Sequence, residues 1–301
     1  MLGQTRSKKS SMIIKNQEGL QFLSGLPDES VDLVLTDPPY ITSRDSGMDK
    51  WVDHVAEQDA SDALLKTAEE WEALSESMNW DKFFGDKKKN LDPLKKNYLK
   101  YGSIYGKKYA VRTNYGKWDS EFTMEDLQLF INHFYRVLKP GGTCIVFFDL
   151  WKITPLKDQL ESAKFKQIRF IEWLKTNPQP INSKVNYLTN CREIALLGIK
   201  KSKPTFNSSY DKGVYEYPIQ GGKDRFHPTQ KNTKMFEELI QKHSNKGDVV
   251  LDCFLGSGTT AVAALNTDRR FIGCELDKEY FTKSMVRIKK AKNVKDTKQN
   301  S

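Results

Sequence analysis

Two short motifs in this 301-residue chain contain residue types that could carry out chemistry. The first, Asp37-Pro38-Pro39-Tyr40, ends an apolar run of strand length, Val31–Thr36. An exocyclic amine on adenine or cytosine is a poor nucleophile, because its lone pair is delocalised into the ring. The Asp37 carboxylate and a backbone carbonyl can accept the two amino hydrogens and so localise that lone pair. Two adjacent prolines stiffen the turn, and Tyr40 offers a ring on which a flipped base can stack.

The second motif lies in a strand–loop–helix–strand unit, Val249–Glu275. Gly256 and Gly258, followed by Ala261, let a ligand approach the backbone at a helix N-terminus. Glu275 ends the second strand, where a carboxylate can accept hydrogen bonds from both hydroxyls of a ribose. The pattern predicts a nucleoside-containing cofactor, and taken alone it also fits a dinucleotide.

Two features favour S-adenosylmethionine over a dinucleotide. Asp252 precedes Gly256 by four residues, where an acid would repel a pyrophosphate but could hold an ammonium group. About 26 residues follow Glu275, too few for the remaining strands of a dinucleotide fold that starts at this unit. We therefore expect earlier residues to complete the sheet, and a cofactor with adenosine at one end and a cationic amino acid at the other.

The elements that must position these motifs alternate between helices and strands. A capping pattern at Thr123 and Asp126 starts a helix that ends at Pro140-Gly141-Gly142. The other predicted elements are helices near 62–77, 154–164 and 231–243, and strands near 143–148, 168–174 and 193–199. This alternation predicts a largely parallel α/β sheet with helices on both faces.

Charge is distributed unevenly along the chain, which has 48 Lys and Arg, 39 Asp and Glu, and a net charge of +9. Residues 45–80 contain ten acidic residues and two lysines, whereas 85–118 contain ten basic residues and two aspartates. The basic stretch is interleaved with tyrosines: Tyr98, Tyr101, Tyr105, Tyr109 and Tyr115. Cations alternating with aromatic rings suit a nucleic-acid backbone with bases available for stacking.

Composition argues against several other classes of protein. No apolar run approaches the ~18 residues that a membrane span needs, and the N-terminus lacks the apolar centre of a signal peptide. The four cysteines form no CxxC pair and have no histidine at metal spacing. We expect a cytoplasmic protein with reduced thiols, bound to the nucleoid when it is on DNA, with no membrane and no metal.

The combination of motifs closely resembles the permuted β-class of DNA amino-methyltransferases. The resemblance covers roughly 12–40 and 119–290, and its shared segments are Asp37–Tyr40, Leu138–Gly142, Trp173–Pro178, His227–Lys231 and Asp252–Thr260. It implies a Rossmann-like, S-adenosylmethionine-dependent methyltransferase fold in circularly permuted order, with the catalytic half first. Asn232 departs from the family pattern, which usually has a second proline there, and we expect it to soften the helix start.

The resemblance also assigns roles to individual residues. Catalysis falls to Asp37, Pro38, Pro39 and Tyr40. The implied cofactor-binding residues are Asp252, Phe254, Gly256, Gly258, Thr259, Thr260, Glu275, His227, Thr229, Gln230 and Lys231. Phe254 is expected against the adenosine and Thr229 to Lys231 near the methionine carboxylate, while Thr259 and Thr260 either donate from their backbone or simply cap the helix.

The implied reaction is a direct, in-line transfer of the cofactor's methyl group to the amine of a base flipped out of DNA. The aspartate in the tetrapeptide favours the N6 amine of adenine, since cytosine enzymes of the family usually carry serine there. N4 of cytosine remains the alternative. An RNA amino-methyltransferase, a dinucleotide-dependent oxidoreductase and an inactive DNA-binding protein are less favoured.

The predicted organisation is a single methyltransferase domain over 12–290. Residues 41–118 form an inserted loop and helical region whose basic half contacts DNA, and 200–226 form the target-recognition segment. Residues 291–301 are expected to be a disordered basic tail. The family context also allows a homodimer and a cognate restriction endonuclease as partners.

Overall fold

The computed structural model of the protein describes residues 12–40, 67–78, 80–84, 90–101, 104, 122–179, 184, 186–188, 190–221, 225–226 and 229–299. The chain divides into two compact units, one comprising residues 1–41 and 118–301 and the other comprising residues 42–117. No helix in the described part of the chain is long and apolar enough to cross a membrane.

The larger unit is built on one eight-stranded sheet. Its strands are β1 (Met12–Asn16), β2 (Val31–Thr36), β3 (Leu138–Phe148), β4 (Lys166–Lys175), β5 (Arg192–Ile199), β6 (Val214–Tyr217), β7 (Val249–Asp252) and β8 (Arg270–Glu275). They are arranged in the order β1-β8-β7-β2-β3-β5-β4-β6. Strand β5 is antiparallel to both of its neighbours, and the other pairings are parallel. The predicted mostly parallel α/β sheet is confirmed.

The helices in chain order are α1 (Gly19–Ser24), α2 (Ala68–Ser77), α3 (Trp80–Phe84), α4 (Asp92–Tyr101), α5 (Met124–Val137), α6 (Ile153–Ser162), α7 (Thr233–His243), α8 (Thr259–Asn266) and α9 (Lys278–Gln299). A 3₁₀ turn, Leu150–Lys152, precedes α6. Strands β2, β3, β7 and β8 are covered on both faces, and most of their residues are buried and apolar. One buried cluster includes residues of α1, α5 and α6, and a second includes residues of α7, α8 and α9.

The sheet order explains how two motifs more than 200 residues apart come together. Strands β2 and β7 are parallel neighbours, with Val34 opposite Leu251. Asp37 and the glycine loop therefore both leave the sheet at its carboxyl edge, where ligands bind in open α/β folds. Because β5 runs the opposite way, its first residues also lie at that edge.

The smaller unit is described through three helices. Trp71 of α2 is buried and packs against the rings of Trp80 and Tyr98, with centroids 6.1 and 5.8 Å away. Glu72 of α2 forms a 3.0 Å ion pair with Lys95 of α4. This contact joins one residue of the acidic stretch to one of the basic stretch. The predicted helix over 62–77 is described only from Ala68, since 62–66 lie outside the described residues.

Several boundaries differ from those predicted. Strands β1 and β6 and helix α1 were not predicted, because each has only four to six residues, too few to show a periodic pattern. The expectation of a disordered tail from 291 is wrong, because α9 continues to Gln299. Lys295 anchors this helix by donating to the Leu265 carbonyl at the end of α8 and to Asp268.

Candidate active site

Asp37 immediately follows β2, and its two carboxylate oxygens have different surroundings. Oδ2 lies 2.7 Å from the ammonium nitrogen of Lys231. Oδ1 is buried and has no hydrogen-bond partner among the described residues. Burial raises the pKa of Asp37 to about 6, although the Lys231 charge acts in the opposite direction. The carboxylate is therefore held by one oxygen, while the other remains free to accept a hydrogen bond.

Tyr40 is fixed at both ends of its side chain. Its hydroxyl lies 3.3 Å from the Lys231 nitrogen and 3.4 Å from Oε2 of Glu193. Its ring meets the edge of the Phe148 ring, with centroids 6.0 Å apart, and the Lys231 ammonium lies 5.3 Å from the ring centroid. A ring immobilised in this way can receive a base without losing further conformational entropy.

Lys231 occupies a different position from the one expected. The resemblance places it near the methionine carboxylate, but its ammonium lies between Asp37 and Glu193, and the side chain is almost fully buried. Its backbone faces the glycine-loop helix, where the Thr259 hydroxyl lies 3.5 Å from the Lys231 carbonyl oxygen. Burial acts to lower the pKa of Lys231, but the neighbouring carboxylates outweigh it and raise that pKa well above its usual value.

Glu193, near the start of β5, was not predicted as a site residue. Its Oε1 is 2.7 Å from the Lys175 nitrogen, and its Oε2 is 2.6 Å from the Lys231 nitrogen. Burial acts to raise the pKa of Glu193, but the two ammonium groups lower it to about 2. The only sequence signal is a charged pair, Arg192-Glu193, that opens an otherwise apolar strand.

The glycine loop between β7 and α8 adopts a backbone that requires glycine. Gly256 and Gly258 have φ of +50° and +78°, in the left-handed region. The Gly256 N–H donates to Oε2 of Glu275 over 2.7 Å, and Gly258 is the N-cap of α8. The two glycines therefore shape the loop, and Glu275 holds it against the end of β8.

Asp252 has a role that differs from the predicted one. Both oxygens of its buried carboxylate already accept hydrogen bonds: Oδ1 from the Thr36 hydroxyl and the Phe254 N–H, and Oδ2 from the Thr260 hydroxyl. Asp252 thus joins the end of β2 to the glycine loop instead of presenting a free carboxylate to a ligand ammonium. Burial raises its pKa.

The loop residues suit a ligand that carries an adenosine and an amino-acid carboxylate. Glu275 is buried, and Oε1 also accepts from the Asp277 N–H over 2.9 Å, so its position at the strand end is fixed. The partly buried Phe254 ring packs against Phe130, with centroids 4.6 Å apart, and presents an apolar wall. The N-terminal turn of α8 offers N–H donors for a carboxylate. The residues present therefore fit S-adenosylmethionine.

The segment before α7 is tied to the glycine loop by contacts that the sequence did not reveal. Arg287 of α9 donates to the Ser257 carbonyl, the Thr259 hydroxyl and the Thr233 hydroxyl. The amide nitrogen of Gln230 is buried without a hydrogen-bond partner among the described residues. Thr229 is exposed, and His227 lies outside the described residues.

Asn232 does not weaken the start of α7, contrary to expectation. Its side-chain oxygen accepts from the Met235 N–H over 3.1 Å, as an N-cap does. Its amide nitrogen donates to the Pro218 carbonyl over 2.9 Å. Asparagine thus fixes the helix start by capping it.

Described residues of 200–226, the predicted target-recognition segment, contact α7. Asn207 donates to the Gln241 and Ser244 carbonyls, which caps the C-terminus of that helix. Tyr215 is buried, and the Tyr217 hydroxyl donates to Glu238 over 2.6 Å. Tyr210, by contrast, is fully exposed. Tyr215 and Tyr217 of this segment are therefore committed to packing within the fold.

Comparison with known proteins places this chain among DNA-modifying enzymes. The profile of a family described as DNA methylase matches residues 31–286. The Type II methyltransferase M2.DpnII of Streptococcus pneumoniae is 28% identical over 295 residues, which cover 93% of this chain and 90% of the relative. The Type II methyltransferase M2.LlaDCHI of Lactococcus lactis subsp. cremoris is 33% identical over 199 residues, which cover 60% of this chain and 74% of the relative.

Solved structures share the fold. The M1.HpyAVI–SAM complex aligns with a TM-score of 0.57 at 23% identity, over 92% of this chain and 98% of that chain. The PvuII cytosine-N4-specific DNA methyltransferase aligns with a TM-score of 0.58 at 15% identity, over 94% of this chain and 93% of that chain. At these identities the alignments establish the architecture and leave the target base open.

Proposed function

This chain belongs to the DNA methylase family, and we propose that it methylates the N6 amine of an adenine flipped out of DNA, with Asp37 as the acceptor that prepares the amine. It is a DNA methyltransferase, and its cofactor is S-adenosylmethionine. The observation that supports the proposed role of Asp37 is its buried Oδ1, which lacks a partner among the described residues beside the fixed ring of Tyr40.

In this proposal, Asp37 and the stiff Pro38-Pro39 turn orient the target amine. One amino hydrogen is donated to Oδ1 of Asp37 and the other to a backbone carbonyl of the turn, so the nitrogen becomes pyramidal and its lone pair is localised. The Tyr40 ring stacks on the base and offsets part of the cost of flipping it, by about 1–3 kcal/mol. The gain in rate comes from positioning and from acceptors that are set before the reaction.

The proposed cofactor site is the glycine loop with the end of β8. Glu275 accepts from the ribose hydroxyls, Phe254 borders the adenosine, and the first turn of α8 at Thr259 and Thr260 donates to the carboxylate. His227, Thr229 and Gln230 are proposed to border the same site. S-adenosylmethionine supplies an electrophilic methyl group on a sulfonium. Asp252 and Arg287 hold the loop in register with Asp37, so that the methyl group and the amine can be aligned.

Adenine is proposed over cytosine because the tetrapeptide begins with an ionisable carboxylate. The structural neighbours do not favour either base, since the family includes both specificities and the PvuII enzyme is named as cytosine-N4-specific. N4 of cytosine is therefore the second candidate. It would use an acceptor at the same position, which the resemblance expects to be a serine in most cytosine enzymes.

For the rest of the molecule we propose that 12–40 and 119–290 form one methyltransferase domain in permuted order. The basic half of 41–118 would contact the DNA backbone, and Tyr210 together with the exposed lysines of 200–226 would contribute to target recognition. A homodimer and a cognate restriction endonuclease are proposed partners.

The decisive experiment identifies the methylated nucleoside. DNA is incubated with methyl-labelled S-adenosylmethionine and the protein, digested, and analysed by mass spectrometry, with Asp37→Asn as the matched control. Detection of N6-methyladenine supports the proposal. Detection of N4-methylcytosine would change the proposed target base to cytosine and leave the proposed mechanism unchanged. Label found in RNA and not in DNA would overturn the proposed substrate.

A further inference from the structure

Glu193 lies beside the catalytic turn, outside the motifs that carry the family resemblance. We propose that Glu193 is a positioning residue for methyl transfer, which holds the Lys231 ammonium on one oxygen of Asp37 and so keeps the other oxygen open to the target amine. The inference rests on the proposed role of Asp37.

The antiparallel direction of β5 brings Glu193 to the catalytic edge of the sheet. Glu193 is opposite Trp173 on β4, and the next residue of β5, Ile194, is opposite Phe148 at the end of β3. Phe148 in turn contacts the ring of Tyr40. A residue at the start of a parallel strand would lie at the opposite edge, so this placement depends on the reversed strand.

The Lys231 ammonium has three N–H donors, and three acceptors surround it. They are Oδ2 of Asp37 at 2.7 Å, Oε2 of Glu193 at 2.6 Å and the Tyr40 hydroxyl at 3.3 Å. Each proton therefore has an acceptor, and none remains for Oδ1 of Asp37. The ammonium could bridge both oxygens of Asp37 only by giving up one of its other two partners.

Glu193 is itself held in place from the opposite side. Its Oε1 accepts from Lys175 at 2.7 Å, and both side chains are largely buried. Two carboxylates, Asp37 and Glu193, thus alternate with two ammonium groups, Lys175 and Lys231, and their formal charges cancel. This arrangement fixes the carboxylate of Glu193 and, through Lys231, the carboxylate of Asp37.

Removing the charge of Glu193 is expected to change the hydrogen bonds that the Lys231 ammonium makes. Asp37 then becomes the only full negative charge in contact with the ammonium, which is drawn toward both of its oxygens and competes with the target amine. The charged and titratable groups that face Asp37 are Lys231, Tyr40, Glu193 and Asp252. Of these, Glu193 repels the ionised form of Asp37, so its removal also lowers the pKa of Asp37.

The test compares Glu193→Gln, which removes the charge, with Glu193→Asp, which keeps the charge but shortens the side chain. We expect each to lower kcat by about 10–100-fold, because the acceptor geometry is lost. We expect KM for DNA and for the cofactor to change by less than about twofold. The acidic limb of the kcat/KM profile should move to lower pH in Glu193→Gln alone. The control is Glu172→Gln, which breaks a more exposed 3.3 Å ion pair with Arg192 on the same two strands.

A second measurement does not depend on the substrate. The titration of Asp37 is followed by carboxyl-carbon NMR of protein labelled at aspartate, with the Asp37→Asn spectrum for assignment. A lower midpoint in Glu193→Gln, together with the loss of kcat, supports the proposal. The proposal is overturned if the Asp37 midpoint is unchanged or if kcat stays at the wild-type value. It is also overturned if the loss of activity only equals the loss of folded protein. If the wild-type protein transfers no methyl group to DNA, the proposed function fails, and the titration still decides whether Glu193 acts on Asp37.

Discussion

At the scale of single residues, the site is a set of buried charges whose pairings decide which atoms remain available. Oδ1 of Asp37 has no hydrogen-bond partner among the described residues, and Lys231, which holds Oδ2, also contacts Glu193. Asp252 looked like a ligand-binding acid, but both of its buried oxygens already accept hydrogen bonds from protein donors. The same residue type at the ends of two neighbouring strands thus has two different roles, which follow from the hydrogen-bond partners.

The pH dependence of methyl transfer should report on Asp37. In the proposed mechanism its ionised form is the hydrogen-bond acceptor, and burial raises its pKa to about 6. We therefore expect kcat/KM to fall about tenfold per pH unit below pH 6 and to reach a plateau above it. Initial rates measured between pH 5 and 8.5 with labelled cofactor would check this. A profile that is flat across that interval would contradict the role.

Asp37→Asn should abolish that acidic limb. Because the amide cannot titrate and is a weaker acceptor, we expect the rate to fall by about 10²–10³-fold. Binding of S-adenosylmethionine, measured by calorimetry, should be unchanged, since the glycine loop is held by Asp252 and Glu275. A variant with an unchanged rate would exclude Asp37 as the acceptor.

At the scale of secondary-structure elements, the fold supplies two helix starts that fix the site. Asn232 caps α7 immediately after Lys231, and Gly258 caps α8 immediately after the loop. Both helices pack in the same buried cluster. Their N-termini therefore hold the backbone that carries Lys231 and the cofactor loop.

Asn232→Ala should lower the free energy of unfolding by about 1 kcal/mol, because it removes the N-cap acceptor of α7. Asn232→Ser keeps a neutral side-chain acceptor for the cap and loses the hydrogen bond to the Pro218 carbonyl, so its decrease in the free energy of unfolding should be smaller. Urea unfolding followed by circular dichroism measures both. Equal stability of the alanine variant and the wild type would refute the capping role.

Gly258→Ala should weaken cofactor binding and lower the free energy of unfolding by about 1–2 kcal/mol. A Cβ at φ +78° is strained, and it would lie 3.2 Å from both Ser284 and Ile288. Gly25→Ala is the matched control, since Gly25 has φ −80° and its Cβ would make only ordinary contacts. Cofactor affinity and thermal unfolding are measured on both. The idea fails if the two alanine variants behave alike.

At the scale of the whole molecule, the net charge of +9 is concentrated in particular stretches. A protein that neutralises DNA phosphates releases counterions, so its affinity falls as salt is raised, with a slope of about −0.9 per contact. The basic stretch 85–118 is the proposed source of these contacts. Cofactor binding, which we propose depends on hydrogen bonds to the glycine loop and to the buried Glu275, should respond much less to salt.

Replacing Lys107, Lys108 and Arg112 together by glutamine should reduce that salt slope by up to about 3. The control replaces three surface lysines that are paired with acidic neighbours: Lys157, Lys246 and Lys283. Affinity for a labelled duplex is measured by fluorescence anisotropy between 50 and 200 mM salt. A slope that changes equally in both triple variants would show that the basic stretch has no special role.

The sequence by itself determined the parts of this protein that depend on neighbouring residues. The strand before Asp37, the glycine loop and the capped start of α5 all follow from local patterns of apolar residues, proline, glycine and capping side chains. These patterns also predicted an α/β sheet and, through the family resemblance, the cofactor.

Only the tertiary structure decided which charged groups meet. The Lys231–Glu193 pair joins residues 38 positions apart, and the Thr36–Asp252 hydrogen bond joins residues 216 positions apart. The first depends on the reversed direction of β5 and the second on the pairing of β2 with β7, and local patterns encode neither. Hydrophobic periodicity reports which face of an element is buried, whereas the partner of a buried charge is set by the element packed against it. The acceptor geometry of Asp37 was therefore visible only once the sheet was assembled.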